Sequence, residues 1–515
     1  MFQIKLDDFN QDKELNFGMT KYDEYREKFI ERKTIEDIPE NHIVFFVLFF
    51  VETYCMDFCK RKIIYKVSRP PLPLKNMLCL ILLSEILKES SARKIADFTK
   101  TDSVYKLVME GIPVSKESVT RYKNYFMPYF EGILGKTVQM AKDYGLSEFI
   151  DVSVDGTKIK AYNSNYKVIR KHDLKTLIKV LKGELCAEEV KNLKFNARKF
   201  YYDERKTLTE KLELLERMLI ELEISGQKSV PVNDIEARWM YNKKNKAEIS
   251  YNLQTCVDCA THLILATYIS QNPTDDYDLP IVTDLAMKNV GFKFENLLAD
   301  AGYCNELVID YLQKSEIKGF IPNATQSREN KDALKINPVS KDNVYIDYLN
   351  KFIVCFAGYF FPLKYQYHEE NVKKTSFGVM HLPDKVKSFY SNSEACRNCF
   401  YKDQCLTEKM TTRQYIVYGS DAMIEMLLKM ETPEAKEKYS LRPVVESPYG
   451  TLKQFYELNQ LPYIGKFKIQ GIVNLKSIAY NIIRITNLVL LDWLFQNETY
   501  INFVKKTIDK YTFKT

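Results

Sequence analysis

The chain has 515 residues, too many for one hydrophobic core, and 45% of them are hydrophobic, so two to four folded substructures are expected. Lysine and arginine number 75 against 68 aspartates and glutamates, a net charge of +7 that permits a polyanionic partner without demanding one. The opening Met1-Phe-Gln-Ile-Lys-Leu-Asp-Asp8 has no basic-then-apolar leader, and the longest apolar run, Ile43 to Val51, is too short to span a bilayer. The expectation is therefore an intracellular protein whose 11 cysteines are thiols or metal ligands, not a disulfide framework.

In chain order, residues 42 to 130 read as helices: His42 to Cys59, Leu74 to Lys88 after the breaker Ser68-Arg-Pro-Pro-Leu-Pro73, and three shorter ones starting near Ser91, Thr101 and Ser115. This close succession predicts a helix-turn-helix arrangement within a helical domain over 1–140, with a plain helical bundle as the alternative. Its last member offers Ser118, Thr120, Arg121 and Lys123 as residues that reach phosphates and base edges. Two stretches are one-sidedly basic. Lys60, Arg61, Lys62, Lys66, Arg69 and Lys75 lie in an acid-free run, and between Lys158 and Lys182 Asp173 is the one acid among eight cations. Each reads either as a solvated face or as a nucleic-acid contact.

A strand from Phe149 to Asp155 follows. Leu208, Leu212, Leu215, Leu219 and Leu222 then repeat at helical spacing with Gly226 as a stop, which predicts an inserted helical hairpin, and Trp239 reads as a buried aromatic. Ile249 to Val257 and His262 to Ser270 form a predicted hairpin. Cys256 and Cys259 lie there on opposite faces and so cannot share a metal, while Asp275, Asp276 and Asp278 read as caps of a helix from Leu279 to Met287. A strand from Glu295 to Ala299 delivers Asp300; a helix, Glu306 to Lys314, and a strand, Lys318 to Pro322, complete the series. That order is the layout of a ribonuclease H-like α/β core, over 145–325 and 430–500, with a helical insertion at about 160–248 and a cysteine-rich insert at 326–429.

The insert carries Cys396-x2-Cys399-x5-Cys405 with Cys355 upstream. Four such thiolates close a structural zinc site; His381 is the alternative fourth ligand, and buried unliganded cysteines are the alternative to zinc. Beyond it, Tyr439, Arg442, Glu446 and Lys453 fall at offsets 0, 3, 7 and 14, one stripe of a helix at about 100° per residue. A carboxylate flanked by cations suits metal and phosphate together, though a solvated face with salt bridges has the same pattern. Pro443 and Pro448 lie inside the stretch and imply that Tyr439 and Arg442 precede the regular helix.

The spacing Tyr-x2-Arg-x3-Glu-x6-Lys resembles the signature around the glutamate of DDE-type insertion-sequence transposases. Asp155-Gly156-Thr157 resembles the family's first aspartate motif and Asp300-Ala301-Gly302-Tyr303 its second, in the right order, with similarity from about residue 37 to about 490. Arg69-Pro70-Pro71 before a hydrophobic helix resembles the family's N-terminal DNA-binding domain. A cysteine cluster like this one occurs in related transposases, and Gln470 to Arg484 continues the likeness on a helix whose apolar remainder, Trp493 included, should be core. The resemblance implies metal-dependent phosphodiester hydrolysis and strand transfer. Two Mg²⁺ ions, replaceable by Mn²⁺ and roughly 4 Å apart, would be held with Asp155 bridging both and Asp300 and Glu446 each completing one site. Tyr439, Arg442 and Lys453 would hold phosphates near the scissile bond, and Arg121 and Lys123 would bind DNA. The implied partners are double-stranded DNA, specifically the element's terminal inverted repeats, and a second copy of the chain, in a cytoplasmic protein associated with DNA. Asp151 lacks the Gly-Thr context and is not expected in the site. The rival reading is a non-catalytic DNA-binding relic; a weaker one is a nuclease that cuts without joining.

Overall fold

A computed structural model of the chain describes residues 38–39, 41–60, 72–242, 245–275, 277–323, 344–375, 378–407, 410–489 and 498–512. Arg61, Lys62, Lys66 and Arg69 of the first basic run, with Asp276 and Trp493, lie outside these residues. The chain divides into two units, Met1–Phe126 with Val489–Thr515, and Met127–Leu488. Among the described residues no helix is long and apolar enough to cross a membrane.

The first unit is helical. Helix α1, Ile43–Tyr54, buries every residue from Val44 to Val51, so the longest apolar run of the sequence is a core helix covered on all sides. Helix α2, Leu74–Ile86, is buried almost throughout. Three short helices follow: α3 (Ala92–Thr101), α4 (Ser103–Val108) and α5 (Lys116–Phe126). Each opens on a side-chain acceptor for an otherwise orphaned backbone N–H, from Lys94 to Ser91, from Val104 and Tyr105 to Asp102, and from Ser118 to Ser115. The helix Glu498–Thr512 belongs to the same unit and sets Tyr500 edge-on against Phe49 of α1, ring centroids 5.5 Å apart.

In the second unit, helix α6 (Phe130–Asp143) leads into β1 (Asp151–Lys160). A small lobe intervenes before the sheet resumes. It holds β2 (Val168–Arg170), α7 (Lys171–Leu181), α8 (Phe195–Tyr201), α9 (Leu208–Ser225) and β3 (Ser229–Pro231), with β2 and β3 paired antiparallel. The expected two-helix hairpin is thus a three-helix lobe with its own core, in which Leu215, Met218 and Leu222 of α9 meet Leu174 and Leu177 of α7. Leu208, first of the leucine repeat, is 55% exposed because the third helix and the strand pair supply the remaining cover. The stop at Gly226 holds: it takes φ +65°, a left-handed turn that glycine adopts without penalty.

The main sheet consists of β1, β4 (Arg238–Tyr241), β5 (Ala247–Asp258), β6 (Ile264–Ser270), β7 (Asn296–Ala299) and β8 (Lys318–Phe320). β5 runs antiparallel between β1 on one edge and β6 and β4 on the other, while β7 and then β8 add in parallel on the far side of β1. Helices α10 (Leu279–Val290) and α11 (Glu306–Lys314) make the connections around β7. Trp239 is half-buried on β4 and its indole N–H donates to Ser229 Oγ at 3.1 Å, a structural aromatic as expected.

A second sheet, in the order β13-β12-β11-β10-β9, is built from β9 (Val344–Asp347), β10 (Phe352–Cys355), β11 (Phe360–Thr375), β12 (Gly378–Ser391) and β13 (Gln414–Tyr418). The chain then forms α12 (Pro433–Tyr439), α13 (Glu446–Phe455) and the long α14 (Lys466–Leu488). An edge strand leaves backbone groups unpaired, and α14 satisfies those of β6 with its amides. Gln470 Oε1 accepts from Ile269 N, and Asn481 both accepts from Ile264 N at 2.9 Å and donates to Ile264 O at 2.8 Å. The polar residues of that helix seal the sheet on which the site is built.

Candidate active site

Side chains alternate along a strand, so Asp151, Ser153, Asp155 and Thr157 share one face of β1. All four meet the stretch that carries Glu446. Lys438 Nζ lies 2.9 Å from Asp151, Ser153 Oγ donates to the Arg442 carbonyl at 2.9 Å, the Arg442 guanidinium reaches Asp155, and Lys453 Nζ donates to Thr157 Oγ1. On the neighbouring strand the parallel register pairs Val154 with Ala299, which sets Asp300 beside Asp155. Asp300 leaves the sheet at that point and caps a single 3-10 turn, accepting from Gly302 N at 2.9 Å.

Asp155, Asp300 and Glu446, from three distant parts of the chain, therefore surround one cation. Arg442 Nη2 is 3.1 Å from Asp155 Oδ2 and 3.5 Å from Asp300 Oδ2, and Nη1 is 2.9 Å from Glu446 Oε1. The guanidinium is mostly buried, at 15% exposure, whereas Glu446 is 58% exposed at the solvent side. Burial pushes the Asp155 carboxyl up to about 6, against the opposing pull of Arg442 and of the Gly156 N–H. Tyr439 is half-buried in the same field, and burial raises its phenol.

The four signature residues do not form one helical stripe. Tyr439 ends α12, Arg442 begins a 3-10 turn through Val445, and Glu446 is the first residue of α13. Pro443 sits early in that turn and Pro448 in the first turn of α13, both places where a missing N–H removes no helical bond. The functional set is gathered by β1, not by helical period.

Residues not assigned to the site from the sequence lie beside it. Asp275 accepts from Asn252 at 2.6 Å and Gln254 at 2.7 Å and pairs with Lys158, and the Tyr303 hydroxyl donates to Gln254 Oε1. A Cβ on Gly156 would lie 2.5 Å from both Asp275 Oδ1 and Gln254 Nε2, so the glycine of the first motif is needed for this close approach. Asp278 does occupy the N-cap position of α10, but its side chain makes no capping bond and accepts from Asn272 instead, while Asp275 lies upstream of the cap. Their role follows from what β5 and its loop bring near, which a count of acids before a helix does not reveal. Tyr449, also missed, donates to the Asp155 carbonyl at 2.6 Å and locks α13 to β1.

Cys355, Cys396, Cys399 and Cys405 line one small cavity of about 20 Å³ in the cysteine-rich region, and Arg413 N donates to Cys396 Sγ at 3.3 Å. The fold thus converges the four thiols, yet no group of three or more His, Cys, Asp or Glu among the described residues stands close enough to hold a metal ion as placed. The side chain of His381 on β12 lies outside the described part. Cys256 and Cys259 are buried thiols, raised by burial.

In the helical unit Arg121 and Thr120 of α5 are exposed and Ser118 is half-exposed. Lys123 departs from the expected outward placement: its ammonium lies 3.5 Å from the carboxylate of Glu85, which is buried on α2. A buried carboxylate recruits the nearest cation, and α2 supplies one that the α5 sequence alone does not show.

Comparison with curated proteins finds no match. Residues 370–486, the stretch that holds Arg442 and Glu446, match the family model described as the transposase DDE domain, a match that supports a DDE-type transposase.

Proposed function

We propose that the protein cleaves DNA at the ends of an insertion sequence and transfers the strand, using Asp155, Asp300 and Glu446 on a ribonuclease H-like core. The observation that carries this reading is the closure of three remote carboxylates on one guanidinium. Three negative groups facing one positive group leave a deficit of two charges, matched to a divalent cation, and the all-oxygen donor set suits Mg²⁺ or Mn²⁺. Asp155, Asp300 and Glu446 would hold the ions, which supply Lewis-acid activation of the attacking oxygen and neutralisation of the leaving one. Arg442 balances the carboxylates from within the chain, and its Nε, buried with no acceptor among the described residues, is a donor for a phosphate oxygen. Lys453, positioned by Thr157, and Tyr439 flank the same place. Ser153 and Tyr449 hold the backbone around them so that the strand and α13 keep their register.

Duplex DNA at the element's inverted repeats is the substrate in this reading, and two copies of the chain act on the paired ends. Arg121 on α5 contributes phosphate contact, whereas Lys123 is already neutralised by Glu85. The cysteine cavity holds a structural Zn²⁺. Nicking and joining of an oligonucleotide bearing the element's end, with Mg²⁺ or Mn²⁺, is the test. Folded protein that binds this DNA and never cuts it would instead be the non-catalytic relic.

A further inference from the structure

Beyond Asp155, β1 continues to Lys160 and opens into a cleft of about 480 Å³ whose lining includes Tyr162, Tyr166, Lys160, Lys167, Asn233 and Gln460. We propose that this cleft binds an unpaired nucleotide of the DNA strand engaged by the acidic site, its base stacked by Tyr162 and Tyr166 and its phosphates met by Lys160 and Lys167. The inference rests on the DNA-processing reading and names a contact that reading does not supply.

Three observations carry it. Tyr162 and Tyr166 are 52% and 88% exposed, so two large rings face solvent in one short loop where burial would have been favourable. The loop is nevertheless built to hold them. Asn163, 3% exposed, donates to the Lys167 carbonyl at 3.2 Å and accepts from Asn233 N at 3.0 Å, and Asn196 donates to the Tyr166 carbonyl at 2.6 Å. Finally, among the described residues no acidic side chain lines the cleft while two lysines do. Exposed aromatic faces interleaved with cations are the footprint of single-strand binding, in which stacking supplies sequence-tolerant affinity and ammonium groups follow the backbone. A protein or lipid partner would favour an apolar patch, whereas Asn and Gln amides here suit base edges.

The strand also sets the distance. From Asp155 to Lys160 is five residues of extended chain, roughly 17 Å, or about five nucleotides at the rise of a stacked strand. The contact should therefore fall about five nucleotides from the bond that is cut.

The test uses full-length protein, fluorescence anisotropy with a labelled single-stranded oligonucleotide and a blunt duplex, and 2-aminopurine placed at successive positions. Tyr162→Ala with Tyr166→Ala should weaken single-strand binding at least about tenfold and leave blunt-duplex binding and melting temperature unchanged. The Tyr→Phe pair should keep single-strand affinity, since the ring and not the hydroxyl stacks. Stacking should quench 2-aminopurine near the fifth position with parent protein and not with the alanine pair. If the alanine pair binds single strands as tightly as the parent, or the parent binds duplex but no single strand, the cleft assignment is overturned while the catalytic reading stands. A folded parent protein that binds neither form removes both.

Discussion

The acidic site and the cysteine cavity both gather groups suited to a metal, and they do so by opposite means. Asp155, Asp300 and Glu446 come from β1, the end of β7 and the start of α13, and the chain's own Arg442 lies among them. Cys396, Cys399 and Cys405 lie within ten residues and meet Cys355 from one neighbouring strand, around a void that Lys402 and Arg413 also line. Ionised carboxylates cannot be brought together in a half-buried place without a counter-charge, whereas neutral thiols can be packed like small apolar side chains. The first site is therefore held by electrostatics that the rest of the fold must support. The second is local, and its stability would come from whatever binds there.

The largest expected effect breaks the acidic site alone. Asp155→Asn, Asp300→Asn and Glu446→Gln keep side-chain shape and remove a charge needed to hold a divalent ion, so strand cleavage should fall on the order of 10³-fold or more. DNA binding in a gel shift should persist, because repulsion between carboxylate and phosphate is relieved. A Glu446→Gln protein that cuts at the parent's rate would remove Glu446 from the site.

The cysteine cavity should respond in the reverse sense. Cys396→Ser or Cys399→Ser should destabilise by roughly 3 kcal/mol or more, the class of effect that loss of a structural metal produces, with activity falling only as folded protein is lost. The parent should carry about one zinc per chain, as four thiols allow. Zinc-free protein prepared without chelator, with an undiminished melting temperature, would reduce the cluster to buried cysteines.

The acidic residues were legible through the resemblance of their motifs, and for the two aspartates the structure supplies a backbone reason for the motif's glycine. Gly156 must admit Asp275 and Gln254, and Gly302 offers the N–H that Asp300 accepts. The sequence showed β6 and β7 because they are short, largely apolar runs between clear breaks. What escaped it depends on partners remote in the chain. Asp275 looks like a helix cap until β5 places Asn252 and Gln254 against it, and Lys123 looks outward until α2 supplies Glu85. The helical stripe failed locally, since the chain passes from α12 through a 3-10 turn to α13 and β1 reassembles the parts. The helix Glu498–Thr512 has an amphipathic pattern but no signal that it joins the first unit.

A pH experiment sharpens the contrast with a smaller effect. Asp155 is raised from 3.8 to about 6, mainly by burial. Folded protein therefore holds that proton more tightly than unfolded protein does, and the associated stability is present below about pH 4 and lost as pH rises through about 6. Asp155→Asn should raise the stability of metal-free protein at pH 7.5 by about 3 kcal/mol and give no gain at pH 4. Divalent-ion binding by the parent should weaken below pH 6 as the carboxylate protonates. A stability profile of Asp155→Asn that runs parallel to the parent's across this range would mean that Asp155 is not the group titrating.

The smallest expected effect is at Asp151, on the same face of β1 only four residues from Asp155. Its carboxylate pairs with Lys438 at 2.9 Å and accepts from Asn296 Nδ2 at 2.7 Å. Both partners are structural: one ties α12 to the sheet and the other ties β1 to β7. Asp151→Asn keeps the hydrogen-bonding carbonyl and loses the ion pair, at a cost of about 1 kcal/mol for a partly exposed pair, while cleavage should stay within about threefold of the parent, a change of less than 1 kcal/mol in the barrier. The comparison with Asp155→Asn is demanding because strand face, residue type and substitution are identical, while the partners differ: Arg442 for Asp155, Lys438 and Asn296 for Asp151. If cleavage by folded Asp151→Asn instead collapses as far as that of Asp155→Asn, the site must extend along β1 to Lys438, and closure on a single guanidinium would no longer define it.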